Sequence, residues 1–311
     1  MSSPLPHGSY PEAKSLNAAD SVSLPWAAFF ELTKPRLSFL SVITALVGYL
    51  ATRATINLPQ LIGLVIGTSL AAGSAATLNM WREREVDALM ARTRSRPLPS
   101  GQVKPEHALA FGLTLGAFGI GLLAWSTNAV AAGLTLAIIL LYVLAYTPLK
   151  PLTPWNTLIG AVPGAMPPLV GAAAATGQVD AMGWYLFGMI FCWQMPHFMA
   201  IAWTYRQDYA QGQLKMSTVV DPSGRDAARQ SVLFALLLIV VSLLPVITGQ
   251  MSGWFYAPVA LGLGVWYAAR AVGFARSENR DACARKLFFA SILYLPIILA
   301  VVVLDPWLFG G

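Results

Sequence analysis

The sequence predicts an all-α membrane protein with nine transmembrane helices, and three observations support this prediction. Hydrophobic residues make up 56% of the 311-residue chain and charged residues only 11%, with a mean hydropathy of +0.61. This composition is typical of multi-spanning membrane proteins. Nine apolar runs follow one another along the chain, and the basic residues are concentrated in alternate connections between them. No polar stretch is long enough to form an aqueous domain of its own.

The nine apolar runs are close to the length of about 20 residues that a spanning helix needs. Their cores cover residues 37–52, 60–80, 107–125, 129–146, 155–175, 183–204, 231–247, 253–272 and 286–304. The third and fourth runs are separated only by residues 126–128, which predicts a tight antiparallel hairpin. Gly and Pro recur inside the runs, and membrane helices tolerate them where neighbouring helices complete the backbone hydrogen bonding.

The N-terminal segment, residues 1–31, differs from the transmembrane domain that we assign to residues 32–311. Residues 1–23 are polar and lack the apolar core of a secretory signal peptide, so we expect a cytoplasmic tail. Residues 25–32 place Trp26, Phe29 and Phe30 beside Glu31. This mixture is typical of a short segment at the membrane interface.

The basic residues predict the orientation of the chain. With the N-terminus in the cytoplasm, 19 of the 20 Lys and Arg residues lie on the cytoplasmic side, and only Arg53 lies outside. Such an asymmetry is the usual consequence of the positive-inside rule. It explains the net charge of +6 without a nucleic-acid partner. Cys192 and Cys283 fit no metal or redox spacing, and we expect no disulfide between them.

The cytoplasmic end of the second run carries a candidate metal site. Asn79, Glu83 and Asp87 are spaced i, i+4 and i+8, so they share one face of a helix. They offer hard oxygen ligands of the kind that Mg²⁺ prefers, and Mg²⁺ is usually completed by waters and substrate phosphates. Arg92 and Arg96 follow, and arginines are natural partners of phosphate groups. The alternative is that this segment is only the solvated end of a membrane helix.

Two further polar segments lie on the same side of the membrane. Residues 203–209 follow the sixth run and contain Asp208, which we predict as a second metal ligand. Without the first acidic segment, Asp208 would be interpreted as a solvated loop residue. Residues 146–156 contain one basic residue, Lys150. Lys150 is predicted to reach a diphosphate, and the alternative is that it only sets the topology.

The sixth run contains an ionisable residue inside the membrane. His197 lies a few residues from the cytoplasmic end and directly follows Pro196, which removes a backbone donor. Intramembrane ionisable residues normally face the bundle interior and are functional. Trp193 and His197 are spaced i, i+4 and therefore share a helix face. The alternative role for His197 is a hydrogen bond between helices.

Together these motifs resemble the UbiA-type intramembrane prenyltransferases, and within them the protohaem IX farnesyltransferases (haem O synthases). The resemblance covers almost all of residues 32–305. It rests on Leu32-Thr-Lys34-Pro35-Arg36, Asn79-x-x-x-Glu83-x-x-x-Asp87, Met90-x-Arg92-Thr-x-x-Arg96-Pro97-Leu98, Tyr146-Thr-Pro-Leu-Lys150 with Asn156, Trp193-Gln-Met-Pro-His197-Phe, and Tyr205-x-x-Asp208-Tyr209-x-x-Gly212. One position departs from the family pattern, which usually has aspartate where this chain has Glu83.

The resemblance implies nine helices around a central cavity that opens to the cytoplasmic side of a bacterial cytoplasmic (inner) membrane. It implies transfer of a farnesyl group from farnesyl diphosphate to a vinyl group of haem B, giving haem O for terminal oxidase assembly. Mg²⁺ is the implied cofactor. A haem A synthase or oxidase assembly factors are the implied candidate partners, and no nucleic acid is expected.

The resemblance also assigns roles to individual residues. The implied catalytic residues are Asn79, Glu83, Asp87, Asp208 and Lys150, and the first four of these are also the implied metal ligands. The implied substrate-binding residues are Arg92, Arg96, Tyr146, Tyr205, Arg206, His197 and Trp193. An aromatic side chain and an imidazole on one face would suit a flat macrocycle, so we expect His197 to contact the haem, as an iron ligand in one arrangement.

Two other functions are compatible with part of this pattern. A UbiA-type prenyltransferase acting on a quinone-precursor ring would share the acidic motifs, although the block from Trp193 to Phe198 argues against it. A membrane transporter would also carry intramembrane polar residues and repeats. The transporter should, however, have ionisable residues near the middle of its spans, and here the polar groups gather at one face.

The first prediction concerns topology. We expect the connections at residues 92–104 and 206–229 to be cytoplasmic, because nearly all basic residues lie on that side. Single cysteines placed in either connection should react with a membrane-impermeant maleimide only after the cells are opened. A cysteine introduced next to Arg53 is the matched control and should react in intact cells. Labelling of either connection from outside would contradict the orientation.

Overall fold

The computed structural model describes residues 25–52 and 55–309, and its regular secondary structure there is entirely helical. The predicted cytoplasmic tail and Arg53 lie outside the described residues. Twelve helices are distinguished below: α1 Pro25–Leu32, α2 Pro35–Ala51, α3 Leu58–Leu89, α4 Pro105–Ser126, α5 Ala129–Leu149, α6 Asn156–Thr176, α7 Ala181–Thr204, α8 Arg206–Gln211, α9 Ser217–Val220, α10 Arg225–Ile247, α11 Tyr256–Arg276 and α12 Arg280–Phe309.

Eight helices in the described part of the chain are long and apolar enough to cross a membrane: α3 to α7 and α10 to α12. The all-α membrane fold is therefore confirmed. The helix α2 is apolar but has only 17 residues. It falls at the lower limit of spanning length. The count of nine spans stays a prediction, and it depends on α2 crossing the bilayer.

Side-chain caps determine where several helices begin. The Asn57 side chain accepts a hydrogen bond from the N–H group three residues later at 3.2 Å and starts α3. Asn128 does the same for α5 at 3.0 Å. Its Nδ2 also donates to the Ala173 carbonyl of α6 at 2.7 Å. Because residues 127 and 128 alone separate α4 from α5, the predicted hairpin is confirmed.

Two glycines allow α2 to pack directly against the second half of α6. A Cβ atom on Gly171 would overlap the backbone carbonyl of Ala45, and one on Gly48 would overlap the carbonyl of Pro168. A neighbouring backbone cannot move aside as a flexible side chain can. Small residues at such a contact are the usual means of close approach between membrane helices. They hold the short α2 inside the bundle.

The glycine contact gives the second prediction. We expect Gly171→Ala to destabilise the protein by about 2 kcal/mol or more, because an extra methyl group overpacks a rigid contact. Gly121→Ala in α4 is the matched control, since a Cβ atom there meets nothing within 4 Å. That control should be neutral or more stable by up to about 1 kcal/mol. Thermal unfolding in detergent measures both, and equal effects would contradict the packing argument.

Candidate active site

The three predicted oxygen-bearing side chains lie near the C-terminal end of α3, and each is bonded to a different cation. The pairs are Asn79 with Lys34 (Oδ1 to Nζ, 2.8 Å), Glu83 with Lys150 (Oε1 to Nζ, 2.6 Å) and Asp87 with Arg96 (Oδ2 to Nη1, 2.7 Å). We call these six residues the charged cluster. Asn79 and Asp87 are each only 1% exposed. These side chains are therefore buried and paired, unlike those at the solvated end of a helix.

Asn79 is oriented by a hydrogen bond to α5. Its Nδ2 donates to the hydroxyl of Thr147 at 3.1 Å, and that hydroxyl donates to the Tyr142 carbonyl at 2.7 Å. The amide oxygen of Asn79 therefore faces Lys34. The segment Leu141–Tyr146 of α5 is a π-helical turn, a feature that frequently occurs at functional sites.

Glu83 and Lys150 form the most enclosed ion pair, with side chains 12% and 15% exposed. Burial alone would lower the pKa of Lys150, but the adjacent Glu83 carboxylate outweighs this effect and raises that pKa well above its usual value. Lys150 is therefore stabilised in its charged form by its ion pair with Glu83. Its Nζ atom also lies 4.7 Å from the centre of the Tyr146 ring.

The loop that carries Lys150 is held by a buried asparagine. The Nδ2 atom of Asn156 is directed at three backbone carbonyls, those of Thr153 (2.6 Å), Lys215 (3.1 Å) and Lys150 (3.4 Å). The backbone N–H of Lys215 in turn donates to the Lys150 carbonyl at 2.9 Å. These bonds join the loop after α5 to the loop after α8, and they explain Asn156 in the sequence motif.

The two polar segments predicted to act together do contact each other. The guanidinium of Arg92 lies 4.4 Å from the centre of the Tyr205 ring and 5.4 Å from that of Tyr209. Met90 is buried in the same region against Leu214 and other apolar side chains. Cation–π contact and apolar burial thus bring the loops after α3 and α7 together.

Two further predicted site residues, Asp208 and Arg206, are not part of the charged cluster. Asp208 is half-buried on the short helix α8. The Arg206 side chain is directed toward α12, where it pairs with Asp281 at 3.1 Å, and it also donates to the Trp203 carbonyl at 2.7 Å. The roles predicted for Asp208 and Arg206 stay predictions, and Arg206 contacts α12 instead of the charged cluster.

The donor set of the charged cluster fits Mg²⁺ with partners from outside the chain. The described residues contain no group of three or more His, Cys, Asp or Glu side chains able to hold a metal by themselves. An amide oxygen and two carboxylates on one helix face are, however, the partial set that Mg²⁺ accepts when waters and phosphates complete it. The cations that now pair with these oxygens are the groups that phosphates bind.

An apolar cavity of about 380 Å³ lies between the helices next to the charged cluster. Its size is that of a small-molecule pocket. Tyr146 and Tyr209 line it and also contact Lys150 and Arg92, respectively, so they connect the cavity to the cations. The cavity is lined mainly by apolar side chains from α2, α3, α5, α6 and α7.

The predicted pair on α7 lines this cavity. The rings of Trp193 and His197 are stacked, with centres 5.0 Å apart and planes 20° apart. His197 Nδ1 lies 2.7 Å from the hydroxyl of Ser291 on α12, and Trp193 Nε1 donates to the Ser291 carbonyl at 2.9 Å. The predicted alternative for His197, a hydrogen bond between helices, is therefore present. It uses one of the two ring nitrogens.

Lys34 is a site residue that sequence reasoning missed. From the sequence we placed it among the basic residues that set topology and in one motif of the family resemblance, but assigned it no role in the site. It stands in the left-handed region with φ of 45°, a conformation that costs energy for a residue with a side chain and occurs often at functional sites. Burial, and then the neighbouring Arg96, lower the pKa of Lys34 to about 8. The signal available in the sequence was a lysine directly before a helix-starting proline on the cytoplasmic side.

The chain is similar to known proteins over most of its length. Residues 41–293 match the UbiA prenyltransferase family. "Protoheme IX farnesyltransferase" of Opitutus terrae is 48% identical over 89% of this chain and 94% of that protein. The protein of the same name from Solibacter usitatus is 42% identical over 89% of this chain and 98% of its own length.

Solved structures share the fold at low sequence identity. A digeranylgeranylglyceryl phosphate synthase aligns with a TM-score of 0.76 at 17% identity, over 90% of this chain and 98% of that chain. A UbiA homologue from Archaeoglobus fulgidus, solved bound to DMAPP and Mg²⁺, aligns with a TM-score of 0.68 at 12% identity over 88% of this chain and 99% of that chain.

Lys34 gives the third prediction. We expect Lys34→Asn to weaken the binding of magnesium pyrophosphate roughly tenfold or more, because a charged hydrogen bond contributes about 1.5–3 kcal/mol. Asparagine tolerates the left-handed backbone conformation, so this change removes the cation without adding backbone strain. Lys104→Asn, at an exposed lysine in the connection after α3, is the matched control. Calorimetric titration that gave equal affinities for Lys34→Asn and wild type would rule out the role.

Proposed function

The chain belongs to the UbiA prenyltransferase family, and we propose that this prenyltransferase transfers a farnesyl group from farnesyl diphosphate to a vinyl group of haem B, giving haem O. Two relatives named for this activity each align over 89% of the chain at 42% identity or more. The observation that carries the proposal is the combination of the charged cluster with an adjoining apolar cavity that contains Trp193 and His197.

Mg²⁺ is the cofactor that we propose for the charged cluster. Asn79, Glu83 and Asp87 would hold one ion and Asp208 a second, and bound Mg²⁺ would supply Lewis-acid stabilisation of the departing diphosphate. The support is the oxygen donor set on α3 and the related structures solved with this ion bound. Glu83 is longer by one methylene group than the usual aspartate, and its carboxylate reaches Lys150 at 2.6 Å.

The cations of the charged cluster bind the diphosphate in this proposal. Lys34, Lys150 and Arg96 are already held next to the acidic side chains, so they need little rearrangement when a diphosphate adds negative charge there. Groups that are positioned in advance and partly shielded from water stabilise developing charge effectively. The diphosphate leaves as the C–O bond of the prenyl group breaks.

The apolar cavity takes the farnesyl chain and the vinyl-bearing edge of the acceptor in this proposal. Its walls keep bulk water from the allylic cation, which would otherwise be captured before it reacts. A haem vinyl group attacks that cation, and a carbon–carbon bond forms. Water then adds to the resulting carbocation and loses a proton, which completes the hydroxyethylfarnesyl substituent. Trp193 and His197 contact the macrocycle.

Orientation and partners complete the proposal. The cavity opens to the cytoplasmic side of a bacterial inner membrane, and residues 32–311 form the catalytic domain. The support is the distribution of Lys and Arg along the chain, with 19 of 20 on one side of the predicted spans. Haem O leaves toward a haem A synthase or oxidase assembly factors.

The fourth prediction tests the function and the metal together. Purified protein incubated with haem B, farnesyl diphosphate and Mg²⁺ should yield haem O, identified by its mass, and excess chelator should stop the reaction. Asp87→Asn and Glu83→Gln should each lower the rate by about 10²-fold or more, because charge stabilisation is lost.

The matched control is Glu85→Gln. Glu85 lies between the two acidic residues on α3, but it pairs with Arg84 and its side chain is 83% exposed. This variant should keep the wild-type rate. Full activity in chelator would contradict the Mg²⁺ site, and prenylation of a quinone precursor but not of haem would replace the proposed acceptor.

A further inference from the structure

We propose that Ser291 on α12 is a positioning residue that holds His197 with its Nε2 lone pair directed into the cavity, as a ligand for the iron of the haem acceptor. The inference rests on the proposed function, since it takes haem to be the molecule in the cavity. It adds a residue that the sequence motifs do not include. Ser291 lies 94 positions after His197 and is fully buried.

The hydrogen bonds of Ser291 determine which nitrogen of His197 carries the proton. The Ser291 hydroxyl lies 2.5 Å from the carbonyl oxygen of Phe288 and 2.7 Å from His197 Nδ1. A carbonyl can only accept, and a hydroxyl has a single proton to donate. That proton goes to the Phe288 carbonyl, so the hydroxyl oxygen accepts from His197. The proton of the neutral imidazole is therefore on Nδ1, and the lone pair is on Nε2.

Stacking fixes the plane of the same ring. The Trp193 ring stacks on the His197 imidazole with ring centres 5.0 Å apart and planes 20° apart. The Phe288 ring also stacks on this imidazole, at 5.2 Å and 25°. Because Nδ1 is bonded to Ser291, the ring edge that carries Nε2 is the one that can bind a ligand. His197 is half-buried and lines the cavity, and Nε2 has no hydrogen-bond partner among residues 25–52 and 55–309.

Ser291 also fixes the second aromatic side chain of the motif. Its carbonyl oxygen accepts from Trp193 Nε1 at 2.9 Å, and Tyr267 donates to the Trp193 carbonyl at 3.1 Å. One residue of α12 thus orients both α7 side chains that face the acceptor. The buried hydroxyl of Ser74 on α3, by comparison, lacks a hydrogen-bond partner in the described structure.

The arrangement matches what a metal-bound histidine requires. Such a histidine uses one nitrogen as the ligand and donates the N–H of the other to a hydrogen-bond acceptor, which fixes both tautomer and ring orientation. An imidazole that is neutral and held in this way presents a lone pair to iron. Loss of an orienting partner typically weakens metal binding by roughly tenfold to a hundredfold.

The experiment is a titration of the purified protein with ferric haem B, without farnesyl diphosphate, followed by absorption spectroscopy. We expect Ser291→Ala to weaken haem binding roughly tenfold to a hundredfold and to shift the haem spectrum in the same direction as His197→Ala. Ser291→Thr keeps the hydroxyl and should restore the spectrum toward wild type. Ser74→Ala is the matched control, and its haem spectrum and affinity should equal those of wild type.

A titration with magnesium pyrophosphate distinguishes this role from misfolding of the variant. Ser291→Ala should leave the affinity for magnesium pyrophosphate unchanged. A wild-type spectrum in Ser291→Ala together with an altered one in His197→Ala would overturn the positioning role. An unaltered spectrum in His197→Ala would overturn the iron ligand. Haem O formation by the wild-type protein is scored separately, so a failure of the proposed function is distinguished from a failure of this inference.

Discussion

The pairing of buried carboxylates with cations at the end of α3 is the interaction on which the rest of the site depends. A carboxylate removed from water is costly unless a cation or hydrogen bonds compensate it. Asp87 and Glu83 are both largely enclosed, so each needs a partner at bonding distance. Their partners come from different parts of the chain, since Arg96 follows α3 and Lys150 follows α5. The ion pairs therefore position two separate loops around one helix face.

A second set of contacts brings the other half of the chain to the same place. Asn156 joins the Lys150 loop to the loop after α8, and Arg92 stacks on tyrosines that follow α7. The buried amide of Asn156 adds a side-chain donor to backbone carbonyl groups in both loops. The charged cluster is thus supported from both halves of the bundle, although its own six residues lie between Lys34 and Lys150 in the sequence.

The side of the cavity formed by α7 and α12 depends on hydrogen bonds between neutral groups, as the charged cluster depends on ion pairs. Polar side chains within the apolar part of the bundle need hydrogen-bond partners, because no water is present to replace them. Trp193 and His197 both find partners at Ser291, and the Gln194 amide donates to the Ala161 carbonyl of α6 at 2.6 Å. The polar residues of this motif therefore join α7 to its neighbours, while Trp193 and His197 still line the cavity.

The sequence by itself determined the features that depend on neighbouring residues. Helical periodicity placed Asn79, Glu83 and Asp87 on one face, apolar run lengths located the membrane helices, and the Ser126-Thr127-Asn128 spacing indicated the hairpin. Only the tertiary structure decided that Lys34 bonds to Asn79, that Arg206 is directed toward α12 and that Ser291 holds His197. These partners are separated by 45, 75 and 94 positions. Local patterns carry no information on such pairs, because they form only when the packing of whole helices brings distant side chains within hydrogen-bond distance.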